Sequence, residues 1–212
     1  MVYTMILLFI FACVDDVGKD KIAATVEAVP AAPAGPAAAV EAVAAPTGAG
    51  KELRIDKARS KIGALGAKIT AKHPIEFHDF TGSVTLAGDA PIAVKFEVQI
   101  ATLTSDQEKL TEHLKKEDFF HAEKFPTASF VSTGITAGGT GGTHTVAGDL
   151  TIRGQTMRVT FPATIQVGAS EVSANTEFVV NRQDFGVIYP GKADDLVQDN
   201  VVLTVKLVAP RA

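Results

Sequence analysis

Hydrophobic and polar residues alternate along most of the chain beyond residue 52. The clearest stretch runs from residue 92 to residue 101, where Ala, Lys, Glu and Gln separate the apolar positions Ile92, Val94, Phe96, Val98 and Ile100. A period of two puts alternate side chains on opposite faces of a β-strand. It recurs at residues 53–55, 80–86, 128–135, 143–153, 157–167, 172–181 and 201–207. The pattern predicts about eight strands, each with one buried and one wet face.

The period changes once, in a charged stretch near the middle of the chain. Ser105 and Glu108 have the spacing of a capping box, which marks a helix N-terminus. Leu110 and Leu114, four residues apart, give the helix one apolar edge. We expect a helix over about residues 105–116 that ends before the adjacent pair of phenylalanines.

Hairpins of half-buried strands limit the fold to two architectures, because they are typical of β-sandwiches and closed barrels. A barrel is favoured, since closure leaves no exposed strand edge. We therefore predict an all-β fold, an antiparallel barrel of about eight strands with one short helical insert. A barrel of about this size either fills its interior with side chains or holds one small ligand. The aromatic-rich insert is a candidate lid for the mouth.

The first thirteen residues contain an apolar run, Met5 to Ala12, that ends at Cys13. A helix needs about 20 apolar residues to span a bilayer, and this run is shorter. Its length fits the apolar region of a secretory signal. No basic residue precedes it, so either the signal is atypical or translation starts upstream. Ile10-Phe11-Ala12-Cys13 is similar to a bacterial lipobox, in which the cysteine is lipidated and becomes the N-terminus. The alternatives are an ordinary signal peptide with an incidental cysteine and a short transmembrane anchor.

Composition divides the rest of the chain into a tether and a domain. Residues 22–50 are mostly Ala, Val, Pro and Gly, and four prolines prevent one continuous helix: Pro30, Pro33, Pro36 and Pro46. We interpret residues 14–50 as a flexible tether that holds a soluble domain off the membrane. Residues 51–212 suit one domain, which is long enough to form a core without disulfides.

Charge and cysteine content exclude several classes of function. The net charge is −4 and the chain has no basic stripe with interleaved aromatics, which disfavours a nucleic-acid partner. Cys13 is the only cysteine, so no disulfide forms within the chain. Nucleophile elbows, Walker loops and dinucleotide fingerprints are absent from the sequence.

Histidines and acidic residues near the insert give a weak indication of a metal site. His113 and His121 flank a turn that contains Glu117 and Asp118, but the sharp spacing of zinc motifs is missing. A helix-surface or loop role is the favoured interpretation. Asp194-Asp195 indicates a solvated loop pair, since its spacing alone makes no calcium loop. We predict no catalytic residue, metal or cofactor.

Three separated motifs resemble those of one known family. They are HLKKEDFFHAEKFPTASFVST at residues 113–133, GDLTIRG at 148–154 followed by Thr156, and NRQDFG at 181–186. In this order they resemble motifs of the YceI-like family of bacterial secreted barrels, and the similarity covers about residues 52–209. YPGKADDL at residues 189–196 is similar to the lipoprotein branch of the family. The chain departs from many members at Arg59, Leu110, Thr111 and Tyr189, and these departures bear on the ligand head group.

The resemblance implies a lipocalin-like barrel with an apolar tunnel that binds polyisoprenoid chains or similar long amphiphiles. No catalytic activity is established for the family as a whole, and dimers are implied by the resemblance alone. Together with the lipobox, the resemblance indicates a protein of the bacterial periplasm or cell envelope, anchored to the membrane through lipidated Cys13. A secreted soluble protein is the alternative.

The predicted lipid-binding residues are side chains that face the barrel interior or lie at the end of the insert. They are Phe96, Val98, Phe119, Phe120, Phe130, Leu150, Phe161, Phe178 and Leu203. The predicted polar residues of the mouth are His113, Arg182 and Tyr189. Core packing is the alternative for the apolar set. For Arg182, an ion pair with Asp184 or a turn cap is favoured over head-group binding.

We therefore predict non-catalytic binding, transport or sequestration of a long apolar lipid, namely a polyisoprenoid, an isoprenoid quinone or an acyl chain. Burial of such a chain needs apolar area and no specific polar group, at about 25 cal/mol per Å². The first alternative is an envelope stress or interaction module with a filled core and no ligand. The second is an enzyme that acts on a bound lipid through His113 or Asp118.

Overall fold

The computed structural model describes residues 16–29 and 50–211. The helix is α1 (Glu108–Leu114), and short 3-10 turns cover Lys57–Arg59, Ile100–Thr102 and Arg182–Phe185. The strands are β1 (Thr25–Ala28), β2 (Lys51–Arg54), β3 (Lys61–Ala67), β4 (Lys72–Phe77), β5 (Phe80–Ala87), β6 (Ala90–Gln99), β7 (Leu103–Ser105), β8 (Thr127–Ala137), β9 (His144–Ile152), β10 (Gln155–Val167), β11 (Glu171–Asn181), β12 (Gly191–Lys192), β13 (Asp195–Leu196) and β14 (Asn200–Pro210). None of the helices formed by these residues has the length and apolarity to cross a membrane.

One antiparallel sheet contains nearly all of these strands. Its order is β2–β5–β6–β8–β9–β10–β11–β14–β3–β4–β7, with β1 added beside β10 and β12 paired with β13 in a separate ribbon. The sheet curls, so that buried side chains from distant strands meet in two adjoining clusters on its inner face. The predicted all-β class with one helix is confirmed.

The strands outnumber the predicted eight because several of them carry no readable period. β7, β12 and β13 have only two or three residues each. In β3, Ile62, Gly63 and Ala64 are buried in succession, so both faces are covered and the alternation disappears. The sequence pattern thus missed the short strands and the doubly covered β3. It also missed β4, although Ile75 and Phe77 are buried there on either side of the less buried Glu76.

The helix differs from its prediction at the N-terminus. It starts at Glu108, its N-cap is Gln107, and that residue makes no side-chain capping hydrogen bond. The predicted cap, Ser105, ends β7 and pairs there with Ile75. Its backbone amide donates to Thr111 Oγ1 at 2.8 Å. The capping-box prediction was wrong because sheet pairing holds Ser105 in the extended conformation.

The described part of the predicted tether is ordered against the sheet. Thr25–Ala28 pair antiparallel with Met157–Thr160, and Val17 is buried. The prediction of a tether is therefore wrong for residues 16–29, since backbone hydrogen bonds compensate for their lack of large side chains. Residues 30–49 and the predicted signal at residues 1–13 lie outside the described residues.

Candidate ligand-binding site

The curled sheet encloses a cavity of about 390 Å³. Small-molecule sites have volumes of about 300–1,000 Å³, so the space is large enough for a ligand. Apolar side chains from the inner faces of the strands make up most of its lining. The interior is therefore partly hollow, because the inward-facing side chains pack in clusters and still leave this space.

The residues predicted for the site all border this cavity. They are Phe96, Val98, Phe119, Phe120, Phe130, Leu150, Phe161, Phe178 and Leu203, together with His113, Arg182 and Tyr189. Their contact with a lipid stays a prediction. Cys13, the predicted lipidation site, lies outside the described residues.

Four phenylalanine rings form a continuous row along one wall. The ring centroids of Phe96 and Phe130 lie 5.5 Å apart, as do those of Phe130 and Phe161. Phe161 and Phe178 stack at 4.0 Å with 4° between their planes. Because each ring is held by its neighbours, the wall offers apolar area of fixed shape to a ligand.

The row depends on Gly148, which lies on β9 beneath the Phe130 ring. In the G148A variant the new Cβ would lie 2.4 Å from Phe130 Cζ and 2.7 Å from the Val131 carbonyl oxygen. We expect the free energy of unfolding in urea to fall by about 1–3 kcal/mol, the usual cost of overpacking. G134A is the matched control, because no atom lies within 4 Å of a Cβ at that position. Equal losses in the two variants would contradict this role of Gly148.

Three rings meet at the mouth, where α1 and the turn after it cover one end of the cavity. The centroid of His113 lies 5.0 Å from that of Phe119 and 5.1 Å from that of Tyr189. Phe119 and Tyr189 are also 5.1 Å apart. His113 Nε2 lies 3.0 Å from Asp118 Oδ2, which fixes the imidazole in this cluster.

The β9–β10 turn holds this cover in place. Arg153 and Gly154 both have positive φ, 52° and 71°, as the central residues of a type I′ hairpin turn do. The turn directs the Arg153 guanidinium toward the insert, where Nη1 donates to the carbonyl oxygens of Glu117 at 2.7 Å and Phe119 at 2.5 Å. We call residues 108–125 the lid.

Arg182 has a structural role in the loop that borders the cavity. It is buried, with 7% of its surface exposed. Its guanidinium donates to the carbonyl oxygens of Val187 (2.5 Å), Val197 (3.3 Å) and Gln198 (3.0 Å) and to Asp199 Oδ1 at 2.9 Å. Burial lowers the pKa of Arg182, and the Asp199 carboxylate opposes that shift.

The prediction that Arg182 forms a structural ion pair is therefore confirmed, but the predicted partner was wrong. The ion pair is made with Asp199, not with Asp184 as predicted. All of the acceptors belong to the chain itself, and they hold together the loop that borders the mouth. Arg182 lines the cavity, but its guanidinium N–H groups donate to the loop.

Further polar residues line one end of the cavity and were not predicted. They are Lys68, His73, Gln107, Lys192, Asp195 and Gln198. Lys68 forms an ion pair with Asp195, and Thr70 Oγ1 donates to Asp195 Oδ1 at 3.0 Å. The hydrogen bond from Lys68 holds the pKa of Asp195 below its usual range. Asp195 is thus not the merely solvated residue that was predicted, and its partner is 127 residues away in sequence.

Exposed aliphatic side chains stand beside this polar end. Ile69, Ile188 and Leu196 are 37%, 71% and 47% exposed. The Ile69 amide donates to the Leu196 carbonyl oxygen at 3.1 Å, which joins the two loops. Ile188 and Leu196 each lie between two residues that line the cavity. We call these three residues the apolar rim.

The histidines near the lid are engaged in separate contacts. His113 faces Asp118, whereas the His121 ring lies edge-on to Phe125 at 5.9 Å. Among residues 16–29 and 50–211, no group of three or more His, Cys, Asp or Glu side chains is placed to hold a metal ion.

Curated relatives match part of this chain. A UPF0312 protein of Pseudomonas putida (strain W619) is 36% identical over 123 residues, which are 54% of this chain and 64% of that protein. A UPF0312 protein of Pseudomonas fluorescens (strain SBW25) is 33% identical over 135 residues, 60% of this chain and 70% of that protein. The chain thus spans just under two thirds of the length of the Pseudomonas putida relative.

Solved structures share the fold. Burkholderia cenocepacia BcnA aligns with a TM-score of 0.64 and 25% identity, covering 73% of this chain and 99% of that one. A polyisoprenoid-binding domain from Saccharophagus degradans, implicated in plant cell wall breakdown, aligns with a TM-score of 0.61 and 11% identity over 76% of this chain and all of that one. At that identity the second likeness shows the fold alone.

The family model covers most of the described domain. The YceI-like domain matches residues 53–209, which include the strands from β3 to β13, all but the last residue of β14, the lid and the cavity. The motif resemblance, the curled sheet and this match agree with one another. The chain belongs to the YceI-like family.

Proposed function

We propose that this protein binds a long apolar lipid in its cavity and carries or sequesters it outside the cytoplasm. The ligand class is a polyisoprenoid, an isoprenoid quinone or a long acyl chain. The hollow apolar interior is the observation that carries this proposal, since a filled-core interaction module needs no such space. The polyisoprenoid-binding domain among the structural neighbours supports the choice of ligand.

Binding in this cavity is the reversible desolvation of an apolar tail. Each buried methylene contributes about 0.8 kcal/mol, so the wall needs area and shape more than polar contacts. The phenylalanine row supplies both. The polar end, with Lys68 and Asp195, leaves the ligand head group near water.

The apolar rim suits exchange with a membrane. Ile69, Ile188 and Leu196 are large aliphatic side chains exposed beside the cavity. Insertion of such side chains into the boundary of a bilayer is favourable. A lipid tail that leaves the membrane at this point passes from one apolar environment to another.

A location in the bacterial envelope is part of the same proposal. Lipidation of Cys13 would hold the domain at a membrane, where its ligand is found. The alternative is a secreted soluble protein that meets its ligand in solution.

Native mass spectrometry of the full chain, purified from a bacterial host, tests the proposal. We expect a co-purifying apolar adduct that organic solvent extracts, and uptake of added geranylgeraniol by the stripped protein. The denatured mass of the same sample reports acyl chains on Cys13. A bare native mass, with no extractable lipid and no uptake of geranylgeraniol, would overturn the lipid-binding proposal. An unmodified N-terminal segment would overturn only the anchoring.

A further inference from the structure

The curled sheet has a seam between β10 and β11. The two strands pair over only four residues each, Thr164–Val167 with Val172–Asn175. Beyond this point β10 stays paired with β9, and β11 stays paired with β14, but the two strands no longer pair with each other. We call the facing edges of residues 155–163 and 176–181 the seam.

The N-terminal segment closes this seam with backbone hydrogen bonds. Thr25–Ala28 pair with Met157–Thr160 on the β10 side. On the β11 side the Ala24 amide donates to the Val179 carbonyl oxygen at 2.9 Å, and the Val179 amide donates to the Ile22 carbonyl oxygen at 3.0 Å. One short segment therefore bridges both strands. We call residues 16–28 the latch.

The latch also covers apolar surface on both sides of the sheet. Ala24 and Val26 pack inward against the core cluster that contains Val159 and Phe178. Val17 packs outside in a separate cluster with Val179 and other residues of the outer face. A Cβ on Gly18 would lie 2.8 Å from the Val179 side chain, so the backbone passes close over it.

The ligand cavity lies directly behind the latch. Phe161 of β10 and Phe178 of β11 stack across the seam with centroids 4.0 Å apart. Both side chains line the cavity, as do Thr176 and Val180 farther along the same edge. Removal of the latch would leave this layer of side chains as the only barrier between the cavity and solvent.

The latch is held less firmly than the long strands beside it. Its paired strand has four residues, against eleven in β11 and in β14. Most of its side chains are exposed, and Lys21 is anchored by an exposed ion pair with Glu177. Exposed ion pairs contribute little to stability. Segments with few buried apolar contacts open locally at free energies well below that of global unfolding.

We propose that the latch detaches reversibly and that the seam is a lateral entrance through which the lipid tail enters the cavity sideways. The inference rests on the proposed lipid-binding function. Sideways entry spares a long chain from threading end-first past the polar residues of the mouth. When the latch detaches, Val17 leaves the outer cluster, and the apolar side chains that it covered beside the seam become exposed.

A disulfide across the latch tests the entrance. Thr25 and Thr160 are opposite partners in the register, and their neighbours Val26 and Val159 face inward, so their own side chains face outward. Opposite residues of an antiparallel pair have Cα atoms about 4.5–5.5 Å apart, within the range that a disulfide spans. The variant T25C/T160C is made in a C13S chain, which removes the native cysteine.

Uptake of geranylgeraniol by the stripped protein is then followed by native mass spectrometry. We expect the oxidised variant to take up the probe at least tenfold more slowly than its reduced form, with the final occupancy unchanged. The control T164C/N175C staples the part of β10 and β11 that is already paired, and its uptake should not change on oxidation. Equal rates for the oxidised and reduced latch variants would overturn the lateral entrance.

Hydrogen exchange of the ligand-free full chain separates failure of the latch from failure of lipid binding. We expect the backbone amides of residues 22–28 to exchange at least a hundredfold faster than those of residues 172–180. Equal protection of the two segments would show that the latch opens only with global unfolding, which overturns the proposal whether or not lipid binds. Fast exchange in a protein that takes up no lipid would instead overturn the proposed function and, with it, the entrance for lipid.

Discussion

The A174F variant should lose most of its affinity for long apolar chains while it stays folded. Ala174 lines the cavity and packs against both core clusters, so it lies where the two halves of the interior join. A phenylalanine there would fill part of the cavity. Displacing about two methylene groups of a ligand costs roughly 1.6 kcal/mol at about 0.8 kcal/mol each, which is more than tenfold in Kd.

The measurement is a titration with geranylgeraniol, compared with farnesol, by native mass spectrometry or by displacement of a fluorescent fatty acid. The longer chain should lose more affinity, because it has to pass the blocked position. S173F is the matched control, since Ser173 precedes Ala174 on the same strand and points to the outer face. An unchanged Kd in A174F, with unfolding midpoints of both variants near that of the unmodified chain, would mean that the ligand does not use this cavity.

The R182M variant should be the most destabilised single substitution at the mouth. The change leaves the carbonyl oxygens of Val187, Val197 and Gln198 without their donor. A buried acceptor left unpaired costs about 1–3 kcal/mol, so we expect a loss of roughly 3 kcal/mol or more in the free energy of unfolding. Methionine keeps most of the side-chain volume, which isolates the loss of donors from the loss of packing.

Urea unfolding followed by far-ultraviolet circular dichroism measures this loss. R59M provides the comparison, because Arg59 pairs with Glu171 while both side chains are well exposed. Such a pair contributes about 0–1 kcal/mol. Similar losses in R182M and R59M would contradict the structural role of Arg182, and its donors would then be available for a ligand head group.

The strand faces show how far local pattern reaches. The alternation from Ile92 to Ile100 predicted the cavity-lining side chains Phe96 and Val98, because a strand fixes side-chain direction within two residues. The same reasoning found Phe130, Phe161 and Phe178. It failed for β3, where burial of both faces removes the alternation.

The ion pairs at the mouth could not be predicted from the local sequence pattern. Arg182 was associated with Asp184, two residues away, but it pairs with Asp199 across the loop. Lys68 and Asp195 meet from distant parts of the chain. Such pairs depend on how loops pack, and the energies that select one partner over another are not encoded in residue spacing. Ser105 likewise has the sequence of a helix cap but the pairing of a strand.

The sequence by itself determined the all-β class, the inward faces of the long strands, the helix near residue 110 and the family, since each follows from short-range periodicity or from contiguous motifs. Tertiary structure alone decided that the interior is hollow, because a void depends on the curvature of the whole sheet and not on any one strand. It also decided that residues 16–28 close the seam. This short segment, with few large apolar side chains, carries no strong signal of its own. Its order comes from the edges of β10 and β11 that no other strand covers, which offer it hydrogen bonds.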